Sequence, residues 1–571
     1  RGFFILSLPT KAFIMTNETI ADNFSLLGKL MDIHGENSFK TKSYSMAAFT
    51  IEKLPTELKD MPQDKIFAIR GIGDAIGKKI VTQLETGQLP QLNEYIANTP
   101  PGILEMLNIK GLGPKKIFTV WKELGIETIG ELLYACEENR LTLYKGFGEK
   151  TQQNVKESIL FYMGSQGSYL YQQIENFAIN VEAKLKAFFN NPQFYSTGQF
   201  RRQMEVIDKL EWVTTTPKTT ISSFFTSNGY SLVDDTDNYV SVVGQENVTL
   251  GFYSVTPTAI PTELFKSSCS ETFLDAWKTT IGMDESISYP SEEAIFSSKN
   301  MAYVPSSLRE DASVIALAKE NKLPTLIQTK DIKGIIHSHS KWSDGNNTLE
   351  EMAAAAIEKG YEYLVISDHS KTAFYAKGLY EDRVLAQHQQ IDELNTQFAP
   401  FKIFKSIESD ILNDGSLDYD NSILNRFDVI IASIHSNLKM TEEKAMMRLI
   451  NAIENPFTSI LGHMTGRLLL SRNGYPVNHQ KIIDACAANN VVIEINAHPR
   501  RLDIDWRWVR AALDKNVLLS INPDAHSIDG YNDCRYGVLA AQKGGLSAAQ
   551  NLSSFSLQQF ETFVSEQKKK R

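Results

Sequence analysis

Nine side chains that can ligate a metal stand at or just past the ends of short apolar runs: His337, His339, Asp344, His369, Glu408, His435, His463, Asp524 and His526. Glu494 and Asn496 end a further run of the same kind. His337 and His339 are two residues apart, so on an extended strand they point to one side, and Asp524 and His526 repeat that spacing. One histidine at a strand end is usually a hydrogen-bonded structural residue. Six of the chain's ten histidines at such positions indicate metal binding. A catalytic zinc site uses about three protein ligands, so nine donors suit two or three ions sharing a bridging carboxylate or water. The mixed nitrogen and oxygen set favours Mn²⁺ first, with Zn²⁺ or Fe²⁺ as alternatives, over Mg²⁺. Such a cluster lowers the pKa of bound water and clamps the oxygens of a phosphate ester, which is phosphoesterase chemistry. Cations beside the set could serve the phosphate: Lys371, Arg467, Arg500 and Arg501. Arg467 and Lys371 are the candidate catalytic residues, Arg467 foremost for substrate contact.

The elements that must hold these groups begin near Asp331. Seven β-branched runs follow: 333–336, 363–367, 402–407, 429–434, 459–461, 491–495 and 517–521. Amphipathic stretches such as 349–359 and 479–488 separate most of them. Repeated βα units predict parallel strands with covering helices. Seven such units in this length predict a barrel, whose active site lies at the C-terminal strand ends.

The first part of the chain reads differently. Residues 15–165 show helical periodicity broken by three Gly-x-Gly turns, at Gly71 and Gly73, Gly111 and Gly113, and Gly146 and Gly148. This is the helix-hairpin-helix pattern. Its glycines let backbone N–H groups and a helix N-terminus approach a DNA phosphate. Lys78 and Lys79, then Lys115 and Lys116, stand where that phosphate would be met. Contacts of this kind hold DNA without reading its sequence. Residues 166–290 are mixed, with a helix over 173–189 and strands near 211–215 and 239–243, and a polar stretch then leads to the barrel.

The chain has 571 residues, which suggests three to five domains at roughly 100–200 residues each. Its net charge of −10 excludes a globally basic nucleic-acid binder. Four scattered cysteines fit a reducing cytoplasm, and no run is long enough to span a membrane. Residues 1–14 are expected to be an unstructured extension, with Met15 the natural start, and the basic run 568–571 a solvated tail. The expected divisions are 15–95 (helical, first hairpin), 96–165 (helical, further hairpins), 166–310 (mixed), 311–330 (linker) and 331–571 (barrel).

In HSHSKWSDG, SDHS, SIESDI, ASIHS, LGHMTGR and NPDAH the barrel resembles the PHP (polymerase and histidinol phosphatase) family, with all nine ligands of its three-metal version present. Ile335, Ser406, Met464 and Pro523 depart from that pattern without removing a ligand. The order of pieces from about Asn17 onward resembles bacterial family X DNA polymerases carrying a C-terminal PHP domain. The resemblance implies a multidomain chain: an all-α helix-hairpin-helix region with a lyase-like first part, an α+β polymerase-like palm and thumb, and a distorted (β/α)7 barrel. In relatives with lyase activity a lysine after the first hairpin forms a Schiff base, and Lys79 stands at that position. Ser45 and Met46 replace the basic residues usual beside it, which leaves Lys79 as a solvated surface lysine.

The palm pattern itself is broken. In GQFRRQMEVIDKLEW the family's serine becomes Gln199 and its two aspartates become Lys209 and Glu211, while the third carboxylate position is Thr249. An ammonium repels the Mg²⁺ that nucleotidyl transfer needs. The leading expectation is therefore a monomeric, cytoplasmic DNA-repair nuclease that acts on gapped, damaged or single-stranded ends, a 3′→5′ exonuclease or 3′-end processor with polymerase activity lost. The alternatives are a small-molecule phosphatase of the histidinol-phosphate kind, an active polymerase if the palm alignment slips, and a non-catalytic DNA-binding scaffold.

Overall fold

The computed structural model describes residues 15–571 apart from 138–140, 142–143, 145, 165–166, 245–246, 285–286 and 471–472. The extension expected at 1–14 lies outside the described residues. The chain divides into two compact units, Arg1–Gln166 and Gly167–Arg571. No helix among the described residues is long and apolar enough to cross a membrane.

The first unit is helical: α1 (Asn17–Ile33), α2 (Ser38–Glu52), α3 (Gln63–Phe67), α4 (Asp74–Thr86), α5 (Pro90–Ala97), α6 (Pro101–Met106), α7 (Pro114–Phe118), α8 (Ile129–Glu137) and α9 (Glu149–Gly164). Thr16 caps α1 by accepting from the Thr19 N–H, and Ile20, Phe24, Leu27 and Met31 form its buried stripe at spacings of three and four. The middle residue of each Gly-x-Gly turn, Ile72, Leu112 or Phe147, is buried in the same core.

The second unit holds two larger sheets. In the central one β1 (Phe194–Thr197), β2 (Lys209–Thr214), β3 (Ser231–Asp235), β4 (Tyr239–Val243) and β5 (Thr249–Ser254) lie in the order β1-β2-β5-β4-β3, and only β2 and β5 run parallel. The stretch expected to be a linker contains a helix, Ser313–Lys319, because Val314, Ile315 and Ala318 are apolar at helical spacing and pack into a local core.

The other sheet is the predicted barrel: β6 (Gly334–Ile335), β7 (Tyr363–Ile366), β8 (Lys402–Asp410), β9 (Val429–Ser433), β10 (Ile460–Leu461), β11 (Val492–Asn496) and β12 (Leu519–Asn522), paired in sequence order and all parallel. First and last strands meet just beyond their ends, where His339 N–H donates to Ala525 O at 2.8 Å and Ala525 N–H to His337 O at 3.2 Å. Alternate residues serve two cores, as a pleated strand requires. Leu364, Ile366, Ile403 and Ile430 pack in the large core with the covering helices, while Tyr363, Val365, Phe404 and Ile431 form a second core. The C-terminal helix Leu557–Lys568 seals that second core, with Phe560 stacked on Tyr363 at 4.5 Å. Of the terminal basic run, Lys568 and Lys569 are exposed as expected, whereas Lys570 and Arg571 are docked. Lys570 donates to the carbonyls of Thr458, Asn489 and Asn490, and Arg571 to that of Phe427 at 2.6 Å. Loop carbonyls there need donors, and these side chains supply them.

Candidate metal centre

The closing turn that joins the barrel's ends bends sharply. His337 has φ +64° and Asp524 φ +52°, a left-handed backbone that costs free energy at non-glycine residues and that active sites tend to hold. The loop after His339 is tied down by the buried carboxylate of Asp368, which accepts from Ser340 N–H (2.8 Å), Ser343 N–H (3.2 Å) and Gln387 Nε2 (2.6 Å). That loop carries Asp344.

The structure brings all nine predicted ligands together around Glu408. Its Oε1 lies 2.9 Å from His463 Nε2, 3.1 Å from His435 Nε2 and 3.2 Å from His337 Nε2. Its Oε2 lies 3.0 Å from His369 Nδ1 and 3.6 Å from His339 Nε2. Asp524 Oδ1 is 3.1 Å from His339 Nε2 and 3.5 Å from His337 Nε2. Asp344 Oδ2 is 3.5 Å from His526 Nε2 and 3.7 Å from His369 Nε2. Donor atoms within 4.8 Å of one another form four groups: His339, Asp344, His369 and His526; His337, Glu408 and His463; His337, His339 and Asp524; His369, Glu408 and His435. Among the described residues every such group lies in the barrel.

This donor set fits divalent ions. His337 Nε2, His339 Nδ1, His369 Nδ1 and His463 Nδ1 are buried without a hydrogen-bond partner, a state that buried polar atoms rarely keep. Burial and the neighbouring His526 and His369 hold His339 neutral, its pKa lowered to about 3, as a ligand imidazole must be. Burial opposes a proton on His435, yet Glu408 and Asp410 outweigh it and raise that group to about 10. His526 is likewise raised to about 9 by Asp344 and Asp524 against the effect of burial. Glu408 stays well below the carboxylate range because His435, His337 and His369 outweigh its burial.

Two further carboxylates orient the imidazoles. Asp410 Oδ1 lies 2.5 Å from His435 Nδ1, and Glu494 Oε2 lies 2.6 Å from His337 Nδ1. Such outer partners fix which ring nitrogen faces the metal. Asp410 was absent from the predicted set, although it stands two residues after Glu408 on one strand, the same-side spacing already used for His337 and His339. Glu494 was noted only as a strand-end residue.

Above the cluster opens a cavity of about 310 Å³, lined by Asp344, His369, Glu408, His435, Asp524 and His526 together with Arg501. Neither candidate catalytic cation lines it. Arg467 is held in an ion pair with Asp505 and donates to the carbonyls of Arg501 (3.0 Å) and Leu502. Lys371 pairs with Glu381 at 2.7 Å beside the Tyr419 ring. The cation at the cavity is Arg501, whose Nε is 3.5 Å from Asp524 Oδ2 and whose backbone Arg467 braces.

The three hairpins of the first unit share one geometry. Gly71, Gly111 and Gly146 have φ of +91°, +84° and +93°, which requires glycine. Gly73 and Gly113 do not, at φ −80° and −77°. A Cβ at Gly73, Gly113 or Gly148 would meet nothing within 4 Å. Neither conformation nor internal packing accounts for these glycines, which leave helix N-termini uncovered. Lys78 and Lys115 are exposed, Lys79 is half-buried, and Lys116 donates to Gly111 O at 3.0 Å.

In the central sheet Lys209 and Thr249 are register partners on parallel β2 and β5, with Glu211 one step up β2 on the same face. Lys209 is exposed. Glu211 is buried, near the hydroxyls of Tyr253 (3.3 Å) and Tyr239 (3.4 Å), and burial pushes its carboxyl up. Gly198, at φ +62°, covers it so closely that a Cβ there would stand 2.1 Å from Oε2. The segment around Gly198 is tied to the end of helix Ile260–Ser267: Thr197 Oγ1 lies 2.8 Å from Ser268 Oγ, which also accepts from Arg201.

Comparison with known proteins finds matches in both units. Residues 15–89 match the helix-hairpin-helix domain, 103–159 the SAM-like helix-hairpin-helix tandem and 336–498 the PHP domain. The chain is 32% identical over 562 residues to the DNA polymerase/3'-5' exonuclease PolX of Bacillus subtilis (strain 168), across 94% of this chain and 96% of that protein. Shorter matches reach a probable phosphatase of Thermoanaerobacter sp. (strain X514), 28% identical over 33% of this chain and 77% of that protein. Another, from Caldanaerobacter subterraneus, is 27% identical over 26% of this chain and 56% of its own length. The chain belongs to the bacterial family X DNA polymerases that carry a C-terminal PHP domain.

Proposed function

We propose that this protein is a DNA-processing phosphodiesterase, acting as a 3′→5′ exonuclease or 3′-end cleaner at gapped, damaged or single-stranded ends. The observation that carries the reading is the convergence of nine donors from six strands, four of their buried imidazole nitrogens making no hydrogen bond. The nine residues would hold two or three divalent ions, Mn²⁺ first. Bound ions supply Lewis acidity toward a phosphoryl oxygen and toward water. Arg501 faces the same cavity and is placed to meet a non-bridging phosphate oxygen. The open N-terminal hairpins hold the DNA backbone, the second glycine of each leaving room for a phosphate. The name of the Bacillus relative, an exonuclease as well as a polymerase, supports the DNA substrate.

The palm is proposed to have lost nucleotidyl transfer. Lys209 and Thr249 occupy two of three carboxylate positions, and the third, Glu211, is engaged by tyrosines. The test is digestion of a 5′-labelled strand by the full chain with Mn²⁺. A ladder shortening from the 3′ end, absent in His339→Ala, is expected. Turnover of p-nitrophenyl phosphate without DNA digestion would instead favour the small-molecule phosphatase, a reading supported by the short matches to probable phosphatases.

A further inference from the structure

We propose that the loop Lys371–Tyr380 is a base-stacking rim of the barrel site, and that Phe374 receives the nucleobase of an unpaired terminal nucleotide. This rests on the phosphodiesterase reading and narrows its substrate to single-stranded ends. The loop begins two residues after His369 and folds back onto it. Leu379 N–H donates to His369 O at 2.8 Å, and Gly378 N–H donates to Ala373 O at 3.0 Å. The neck is so tight that a Cβ on Gly378 would stand 1.9 Å from Ser370 O. Its root is tied to the ligand set: Thr372 Oγ1 donates to Asp410 Oδ2 at 2.9 Å, and Asp410 also holds His435. On its other side Arg383 donates to Lys377 O at 2.7 Å and to Trp342 O, and Trp342 stands between His339 and Asp344. The two loops that flank His369 and Asp344 are thus knitted into one rim.

On this well-anchored loop Phe374 is 81% exposed and Tyr380 57% exposed, with Lys377 and, on the adjoining loop, Lys341 also exposed. A scattered exposed phenylalanine needs no explanation. One at the tip of a loop clasped at a metal-ligand position, on a loop that also carries the exposed Lys377, does. The ligand whose chemistry matches is a flat aromatic base joined to an anionic phosphodiester, since stacking on an aromatic side chain tolerates any base. A base still paired in a duplex end is stacked on its neighbour and is not free for this contact.

The test uses the full chain with Mn²⁺, a single-stranded oligonucleotide, the same strand with an abasic 3′ nucleotide, and p-nitrophenyl phosphate. Phe374→Ala is expected to raise KM for the normal strand about tenfold, the scale of one lost base stack. Hydrolysis of p-nitrophenyl phosphate and metal content should be unchanged, and Phe374→Trp should keep the low KM. The abasic end should cost the wild type a similar factor and cost Phe374→Ala nothing more. A Phe374→Ala protein with wild-type KM on the normal strand would overturn the proposal, as would equal losses on p-nitrophenyl phosphate. A wild type that cuts no DNA at all would overturn the phosphodiesterase reading beneath it.

Discussion

Both larger sheets of the second unit place ionisable residues on adjacent parallel strands, and the two places differ in what surrounds them. At the barrel mouth Glu408 sits within 3.6 Å of five imidazoles, each in turn fixed by the strand that carries it. On β2 and β5 of the central sheet Lys209 faces Thr249, and Glu211 is turned toward tyrosine hydroxyls beneath Gly198. The barrel keeps carboxylates and imidazoles mutually exposed and partly unsatisfied, a state that a cation relieves. Among Lys209, Glu211 and Thr249 the central sheet has a single carboxylate, Glu211, and tyrosine hydroxyls approach it within the protein. The strand geometry of the central sheet rests on apolar residues such as Leu210, Trp212, Leu250 and Phe252, not on the groups at the strand ends.

The largest expected effect lies at the hub of that contrast. Glu408→Ala should abolish hydrolysis and metal uptake, by more than about a hundredfold, because it exceeds an outer-partner change. Glu494→Gln should cost about 10–100-fold in metal affinity by loosening His337. Equal affinity in both variants, read by metal titration, would remove the distinction between ligand and orienting partner.

Metal uptake should also depend on pH in a defined direction. In the metal-free protein His526 is held up near 9 and His435 near 10, so both carry protons at neutral pH. An incoming ion must displace protons, and affinity should rise with pH up to that range. The same shifts stabilise the metal-free fold. Each raised histidine contributes fully below its unfolded value of about 6.5 and loses that contribution as pH passes about 9–10. The unfolding temperature of the chelated protein should therefore fall as pH rises from about 6.5 to about 9–10 and level off above that range, and the metal-bound protein should not follow it.

For the central sheet the expected outcome is no primer extension with Mg²⁺. The exchange Lys209→Asp with Thr249→Asp would set three carboxylates on two neighbouring strands and should create Mg²⁺ binding detectable by calorimetry. Primer extension by the wild type, lost on Glu211→Ala, would erase the contrast between the two sheets.

Much of this was legible in the sequence, for a physical reason. Barrel strands buried on both faces read as unbroken β-branched runs, and the residues after them must emerge at one end. All seven runs and all nine donors therefore fall where patterning placed them. What was not legible depends on contacts far apart in the chain. Arg467 follows His463 closely, but Asp505 turns it from the cavity and leaves Arg501 there. The basic C-terminus finds carbonyls at Phe427, Thr458 and Asn489 that no local pattern announces. The central stretch 313–319 reads as polar linker because its helix buries only a narrow stripe.

The smallest effect separates the first unit from both sheets, because there a site is expected where nothing converges. Gly113 adopts φ −77° and ψ 167°, which alanine accepts without strain. No atom lies within 4 Å of the added methyl. Gly113→Ala should therefore leave the fold intact or stabilise it by about 0.4–1 kcal/mol, through the less flexible unfolded chain. If a DNA phosphate approaches the N-terminus of α7 as closely as glycine permits, the same methyl stands in its way, and affinity should drop about threefold to tenfold at fixed salt. Glycine at this position then reflects the ligand, since the protein alone would be served better by alanine. A variant that is more stable and binds DNA as well as the wild type would show that the open space before α7 is not where the backbone lies.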